Sequence, residues 1–329
     1  MDILITEELD SPAIDGLARK YSVVRDGTMW REPARLGEAL GQARIVFIRN
    51  QTRLTGALLA SAPLLIGIGR VGVGLDNIDL EAASARGVVV VAPLDANATS
   101  VAELTVGLML ALARKIPYAD RSVKAGAWDR KSCTGVELAG KTLALCGLGR
   151  IGRRVALAAG AMGMRRVVFD PFLKPDSPAL IETGARLFAD LDSALKAADF
   201  VTIHLPLTAQ TRHLFNSTRF AAMRRGACFI NTSRGGVVDE SALLLALRNG
   251  HLAGAALDVR EIEPPAVREG LEQLDNVILT PHIGAFTHEA QARTFEAVCS
   301  DADRLLSGQA AQHFVNFPQP RPINTGGSD

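Results

Sequence analysis

Short β-branched runs alternate with Ala- and Leu-rich helical stretches along nearly the whole chain, and this rhythm limits the fold more than any other feature. The runs fall at Ile3–Ile5, Ile45–Ile48, 64–66, 88–91, Thr142–Cys146, 166–169, Phe200–Ile203, Cys228–Asn231, Gly254–Leu257 and Val277–Leu279. Such a strand–helix alternation predicts parallel α/β layers. A long helical segment over about 100–125, with apolar Val101, Leu104, Leu108, Leu112 and Ile116 at helical spacing, separates the first four runs from the rest and reads as a domain connector. A second helical stretch covers 287–306, residues 313–315 could form a short returning strand, and the Pro/Gly-rich end PQPRPINTGGSD, from about 317 to 329, is expected to be loose.

The length, 329 residues, suits about two domains. A composition of 48% hydrophobic and 22% charged residues is that of an ordinary globular protein. The net charge of +1 and the dispersed Lys and Arg residues speak against a nucleic-acid or anionic-membrane partner, so a small substrate is the expectation. Cys133, Cys146, Cys228 and Cys299 show no CxxC spacing, which leaves neither a disulfide framework nor a metal site to expect. The acidic N-terminus MDILITEELD lacks the pattern of a signal peptide, and no apolar run approaches the ~18 residues of a membrane span, so the cytoplasm is expected.

Two stretches match G-x-G-x-x-G, at 67–72 and 147–152. A dinucleotide loop needs a strand before it, a helix directly after it and an acidic residue roughly 20 positions on. The second stretch has all three: the run Thr142–Cys146, a helix from Ile151 to about Met162, and Asp170 closing RVVF. Gly147 suits the tight turn, Gly149 lets backbone approach the pyrophosphate, and Gly152 permits close helix–strand packing. Asp170 would accept from the ribose hydroxyls and repel a 2′-phosphate, which favours NAD over NADP; Lys174 lies close by. The first stretch fails these tests, because after Gly72 and Val73 come another glycine and LDNIDL, and the acidic position would fall inside the run 88–91. Either a small-anion loop or a plain turn capped by Asp76 or Asp79 fits it.

Three segments place polar residues just after apolar strands, where open α/β sheets hold ligands: INTSRGGVVDE, LDVREIEPP and LTPHIGAFTHE. Arg234 for a carboxylate, His282 for proton transfer and Glu263 to tune that histidine form a coherent set for hydride transfer to a 2-keto acid. Each has a plain alternative, as a surface charge, a buried histidine and a turn cap respectively. His204, His213, His251, His288 and His313 rank lower, with packing the expected role of His204.

Taken together, GRVGVGLDNID (69–79), NATSVAE (97–103), GKTLALCGLGRIG (140–152), HLPLTAQT (204–211), MRRGACFINTSRGGVVDESAL (223–243), GAALDV (254–259) with EPP (263–265), and NVILTPHIGAFT (276–287) resemble, in order, the motifs of the D-isomer-specific 2-hydroxyacid dehydrogenases. Phosphoglycerate dehydrogenase and hydroxypyruvate or glyoxylate reductases belong to that family, and the match runs to about residue 316. The resemblance implies two doubly wound parallel-sheet domains, Rossmann- and flavodoxin-like, with the NAD domain (99–288) inserted into a substrate domain (1–98 and 289–329), an active site in the cleft and a homodimer.

It further implies roles. Arg234 would bind substrate carboxylate and carbonyl, Glu263 would hold the histidine, and His282 would be the general acid/base. Val73 and Gly74 backbone would take the substrate carboxylate. Thr99, Gly149, Arg150, Ile151, Asp170, Pro206, Thr211, Thr232, Asp258 and Gly284 match cofactor-contact positions, with Asp258 towards the nicotinamide. Arg49 stands where phosphoglycerate-type members carry a basic residue, which implies a further anionic group on the substrate. Arg260 departs from the pattern, since an aromatic residue is common there. With no domain after residue 329, the longer serine-feedback-controlled forms are not expected. Two other readings compete: an NAD-sensing, corepressor-like binding protein, and a dehydrogenase of formate or phosphite. Glycerate, phosphoglycerate, glycolate, lactate and sulfolactate all remain open as the hydroxy acid.

Overall fold

The computed structural model describes residues 1–265 and 270–321; the end of the expected loose tail, from 322 on, lies outside them. The chain forms two compact units, one of Met1–Asn97 with the segment from Phe286, the other of Ala98–Ala285.

The first unit carries β1 (Ile3–Ile5), β2 (Val23–Arg25), β3 (Ile45–Ile48), β4 (Gly67–Arg70) and β5 (Val89–Val91) in the order β2-β1-β3-β4-β5. All pairs are parallel, the flavodoxin-like order with a switch point between β1 and β3. Near-continuous Val and Ile in β3 and β5 fits strands buried on both faces. After helix His288–Leu306 the chain returns to this sheet, where Phe314 bridges Val91 in antiparallel sense. Asn316 fixes that return: its Oδ1 accepts from Val90 N at 2.8 Å and its Nδ2 donates to Val88 O at 2.9 Å.

The strand expected at 64–66 is displaced to 67–70, so the first glycine stretch is largely strand and not loop. The cause is packing against the helix His288–Leu306. A Cβ on Gly67 would lie 2.8 Å from Leu305 Cδ1, and one on Gly69 would lie 2.6 Å from Phe47 Cδ1 and 2.7 Å from Val298 Cγ1. Only glycine lets that helix approach the sheet.

The second unit holds β6 (Thr142–Cys146), β7 (Arg165–Phe169), β8 (Arg186–Leu187), β9 (Phe200–Ile203), β10 (Cys228–Asn231), β11 (Gly254–Leu257) and β12 (Val277–Leu279). Their order is β12-β11-β10-β9-β6-β7-β8, with every pair parallel. Chain direction across the sheet reverses between β6 and β9, so a ligand crevice is expected at the carboxyl ends of those strands. Phe215, Phe220 and Phe229 pack ring to ring in the core beneath, with centroids 5.2 to 6.1 Å apart.

The segment expected as one helix over 100–125 is two, Ala98–Ala113 and Ile116–Lys124. They part at Lys115, whose φ is 52°, immediately before Ile116 and Pro117. Proline lacks the amide that would continue the ladder and crowds the residue before it. Strands β2 and β8, absent from the sequence reading, are sheet-edge pieces of three and two residues with mixed exposure.

Candidate active site

The loop after β6 has the geometry a pyrophosphate requires. Gly147 sits at φ 96°, and a Cβ there would lie 2.7 Å from the carbonyl oxygen of His204 on the neighbouring β9 exit. A Cβ on Gly152 would overlap the Gly147 carbonyl, so helix Arg150–Ala161 starts hard against the strand end. Gly149 is the N-cap and offers no side chain to the first helical amides, which leaves the positive helix end for an anion. Asp170, just past β7, accepts from Leu148 N and from Phe172 N, each at 3.0 Å. The carboxylate thus braces the glycine loop while each oxygen keeps lone-pair capacity for ribose hydroxyls. These features fit a dinucleotide.

At the carboxyl ends of β10, β11 and β12 lie the three ionisable candidates. Asn231 shapes the first turn: its Oδ1 accepts from Ser233 N (2.9 Å) and Ser233 Oγ (2.8 Å), and its Nδ2 donates to Arg234 O at 3.0 Å. Arg234 is half-buried and donates from Nη1 to Ser233 O at 2.7 Å. His282 Nδ1 is 2.7 Å from Glu263 Oε2, and the side chains are 32% and 37% exposed, so the pair is held yet reachable. Glu263 Oε1 accepts from Arg260 N at 2.9 Å. Burial acts to raise the Glu263 pKa, but the His282 hydrogen bond and electrostatic pull, the Arg260 amide and the Arg234 charge together hold it below the usual carboxylate range. An ionised Glu263 accepts only, so Nδ1 donates to it and Nε2 is the nitrogen left to exchange a proton. His282 takes φ 55°, a left-handed conformation uncommon outside glycine.

Asp258 explains how that conformation is kept. Its carboxylate is 1% exposed and accepts from Thr280 Oγ1 (2.6 Å), Ile283 N (2.9 Å) and Gly284 N (2.8 Å), while its carbonyl accepts from His282 N at 2.7 Å. The structure therefore gives Asp258 the task of folding the 280–284 loop around His282. Gly284 is required beside it, since a Cβ would stand 3.1 Å from Asp258 Oδ2.

Other expected cofactor positions also carry local contacts. Thr211 Oγ1 donates to Pro206 O at 2.6 Å and closes the 206–211 loop. Thr232 Oγ1 lies 2.7 Å from Thr105 Oγ1 and is buried. Thr99, Arg150 and Ile151 occupy the first turns of helices Ala98–Ala113 and Arg150–Ala161. His204 is partly buried beside the glycine loop, and desolvation pushes its pKa down to about 3, so it packs there as a neutral ring. Arg260, noted only as a departure, is nearly enclosed by Glu240 and Glu272; its hydrogen bonds to Glu240, and then to Glu272, hold its pKa above the ordinary guanidinium value against the effect of burial.

In the first unit, Glu7 is a residue the sequence reading missed. Its carboxylate, 5% exposed, accepts from the amides of Arg49 (2.7 Å), Thr52 (2.9 Å), Asn50 and Gln51 (both 3.1 Å). It pins the loop that follows β3 at the switch point of that sheet. Arg49 itself lies 4.2 Å over the Phe286 ring and donates from Nη2 to Gln291 Oε1 at 3.0 Å. Burial lowers its pKa, opposed by Glu7. Buried Arg70 shapes the turn containing Val73 and Gly74, donating to Gly74 O at 2.7 Å, Val71 O at 3.0 Å and Asn50 Oδ1 at 2.8 Å.

Residues 106–284 match the family model of the D-isomer specific 2-hydroxyacid dehydrogenase NAD-binding domain. The chain belongs to that family. It is 44% identical over 316 residues to a D-3-phosphoglycerate dehydrogenase of Methanocaldococcus jannaschii, covering 96% of this chain and 59% of that protein. It is 43% identical over 264 residues to a hydroxypyruvate reductase of Thermotoga maritima, covering 80% of this chain and 84% of that one. The solved D-lactate dehydrogenase of Aquifex aeolicus, complexed with NAD and lactic acid, superposes with a TM-score of 0.87 at 30% identity, over 97% of this chain and 100% of that one. The chain thus spans under two thirds of the M. jannaschii relative. Its family domain and its NAD-complexed neighbour support NAD as the cofactor. Among the described residues, no helix is long and apolar enough to cross a membrane.

Proposed function

We propose that the protein interconverts a small 2-hydroxy acid and its 2-keto acid, with His282 as general acid/base, Glu263 orienting it, and Arg234 binding the substrate carboxylate and carbonyl. The observation that carries this reading is the 2.7 Å contact between His282 Nδ1 and Glu263 Oε2, with the Arg234 charge acting on the same carboxylate.

When bound, the cofactor would supply the hydride as NADH in reduction and accept it as NAD+ in oxidation. As the carbonyl carbon gains that hydride, its oxygen takes a proton from His282 Nε2, and the histidine is reprotonated from water. In reverse, Nε2 removes the hydroxyl proton. Arg234 draws the carbonyl oxygen's charge toward itself in the transition state. Glu263 keeps Nδ1 protonated and the ring aimed. Gly147, Gly149 and Gly152 cradle the pyrophosphate, Asp170 accepts from the adenosine ribose, and Thr99, Arg150, Ile151, Pro206, Thr211, Thr232, Asp258 and Gly284 complete the cofactor side. Val73 and Gly74 take the substrate carboxylate, and Arg49 takes a second anionic group where the substrate has one. The partly dehydrated guanidinium, backed by Phe286, is suited to that role.

The protein is read as a cytoplasmic homodimer. Ile116 and Val123 on helix Ile116–Lys124 are 52% and 51% exposed and Trp128 just beyond it is 78% exposed, large apolar side chains that a partner could cover. The test is NADH oxidation with hydroxypyruvate, glyoxylate, pyruvate, phosphohydroxypyruvate and sulfopyruvate. Turnover of at least one is expected; silence on all five with NADH bound would overturn the reading.

A further inference from the structure

We infer that Arg260 is a positioning residue for Glu263 and its neighbours, its clamp between Glu240 and Glu272 fixing the backbone that aims the Glu263 carboxylate. The inference rests on the acid–base reading above.

Glu263 and His282 come from separate loops, after β11 and before helix His288–Leu306, so their contact depends on both loops being anchored. Asp258 folds the histidine loop through three donors. The glutamate loop closes on itself through Arg260 N and Glu263 Oε1, and such an internal bond gives it no purchase on the rest of the unit. One tie is His213 Nε2 to Glu261 Oε1 at 2.5 Å; the fuller purchase comes from Arg260. Its Nε and Nη2 donate to the two oxygens of Glu240 at 3.0 and 2.8 Å, and its Nη1 donates to Glu272 Oε1 at 2.6 Å. Glu240 also accepts from Glu261 N at 2.7 Å, and it opens helix Glu240–Arg248, a rigid mount.

The side chains of Arg260, Glu240 and Glu272 are only 14%, 20% and 22% exposed. A two-toothed arginine contact in that environment fixes geometry in a way an exposed ion pair does not. The same residue also abuts the substrate side: a Cβ on Gly235 would overlap the Arg260 carbonyl, so backbone next to Arg234 lies directly on this loop. Moving Arg260 therefore disturbs Glu263 through its amide, and His282 through Glu263. The Arg260 guanidinium is engaged by the two glutamates and has no part in the reaction.

The test is a double-mutant cycle with hydroxypyruvate and NADH as probes, read as kcat, KM and NADH affinity. Arg260→Met is expected to lower kcat about 10- to 100-fold and to leave NADH affinity within about twofold. Arg260→Lys should recover only part, having no fork for Glu240. In a Glu263→Gln background, Arg260→Met should cost less than about threefold more, because the group it aims is already gone. Glu272→Gln carries the same cycle if Arg260→Met does not fold. Full kcat in the Arg260 variants, or a loss that multiplies undiminished with Glu263→Gln, overturns the inference and leaves the acid–base reading standing. Full kcat in Glu263→Gln alone overturns both.

Discussion

Replacing Gly147 by alanine tests the glycine loop at its most constrained point. The new Cβ would stand 2.7 Å from His204 O, with His204 C and Leu205 Cδ2 at 3.2 Å. The nearest of these is backbone, about 0.3 Å inside the 3.0 Å that real Cβ atoms respect, and backbone at the exit of a central strand cannot swing aside as a side chain would. The residue also sits at φ 96°, which costs a non-glycine residue about 1–3 kcal/mol. Overlap adds about 1 kcal/mol or more, for an expected loss of about 2–4 kcal/mol. Relief requires the loop to move off the strand end, and losing one amide contact to a charged pyrophosphate costs about 1.5–3 kcal/mol, tenfold or more in affinity. Gly126→Ala is the control, because Gly126 has φ 85° with nothing within 4 Å of its would-be Cβ. It shares the backbone strain without the overlap or the site. Urea unfolding and NADH titration by fluorescence then give the comparison. The reasoning is refuted if Gly147→Ala matches Gly126→Ala in stability and binds NADH within about twofold of the unaltered protein.

Glu263 gives a pH signature. Its folded pKa lies below the ordinary carboxylate value, so the stability it contributes is present above that ordinary value, near 4.3, and is lost as pH falls through the folded pKa. Urea midpoints should therefore decline more steeply below about pH 4.5 in the unaltered protein than in Glu263→Gln, and parallel curves would contradict this. Glu7→Gln replaces one of two oxygens that accept four backbone amides with a donor. It should cost roughly 2–3 kcal/mol in urea unfolding, and a loss under about 0.5 kcal/mol would show that the loop after β3 does not depend on that carboxylate.

The parallel α/β layering was legible because strands such as Ile45–Ile48 and Cys228–Asn231 are short apolar runs between helical stretches. Edge strands β2 and β8 were not, because two or three half-exposed residues carry no periodicity. The glycines at 67 and 69 misled the reading of their segment: spelled like a nucleotide loop, they are strand residues whose missing Cβ atoms admit Leu305, Phe47 and Val298. That requirement comes from residues over 200 positions away for Leu305 and Val298, and so leaves no local mark. Among the candidate site residues, Glu263 and His282 were legible as polar residues following strands, and the structure brings them within 2.7 Å. Glu7, Asn231 and Arg260 act by holding backbone. Nothing in the type or spacing of a lone Glu or Arg distinguishes a residue that binds four amides from one facing water.

The most direct test of the account compares His282→Ala with the unaltered protein in the turnover of a responsive 2-keto acid with NADH, alongside NADH affinity. Loss of general acid catalysis predicts a fall in kcat of about 10²- to 10⁴-fold, with NADH affinity unchanged, because the glycine loop and Asp170 lie on β6 and β7 and His282 follows β12. A His282→Ala protein that binds NADH and turns over at the unaltered rate would contradict the proposed function.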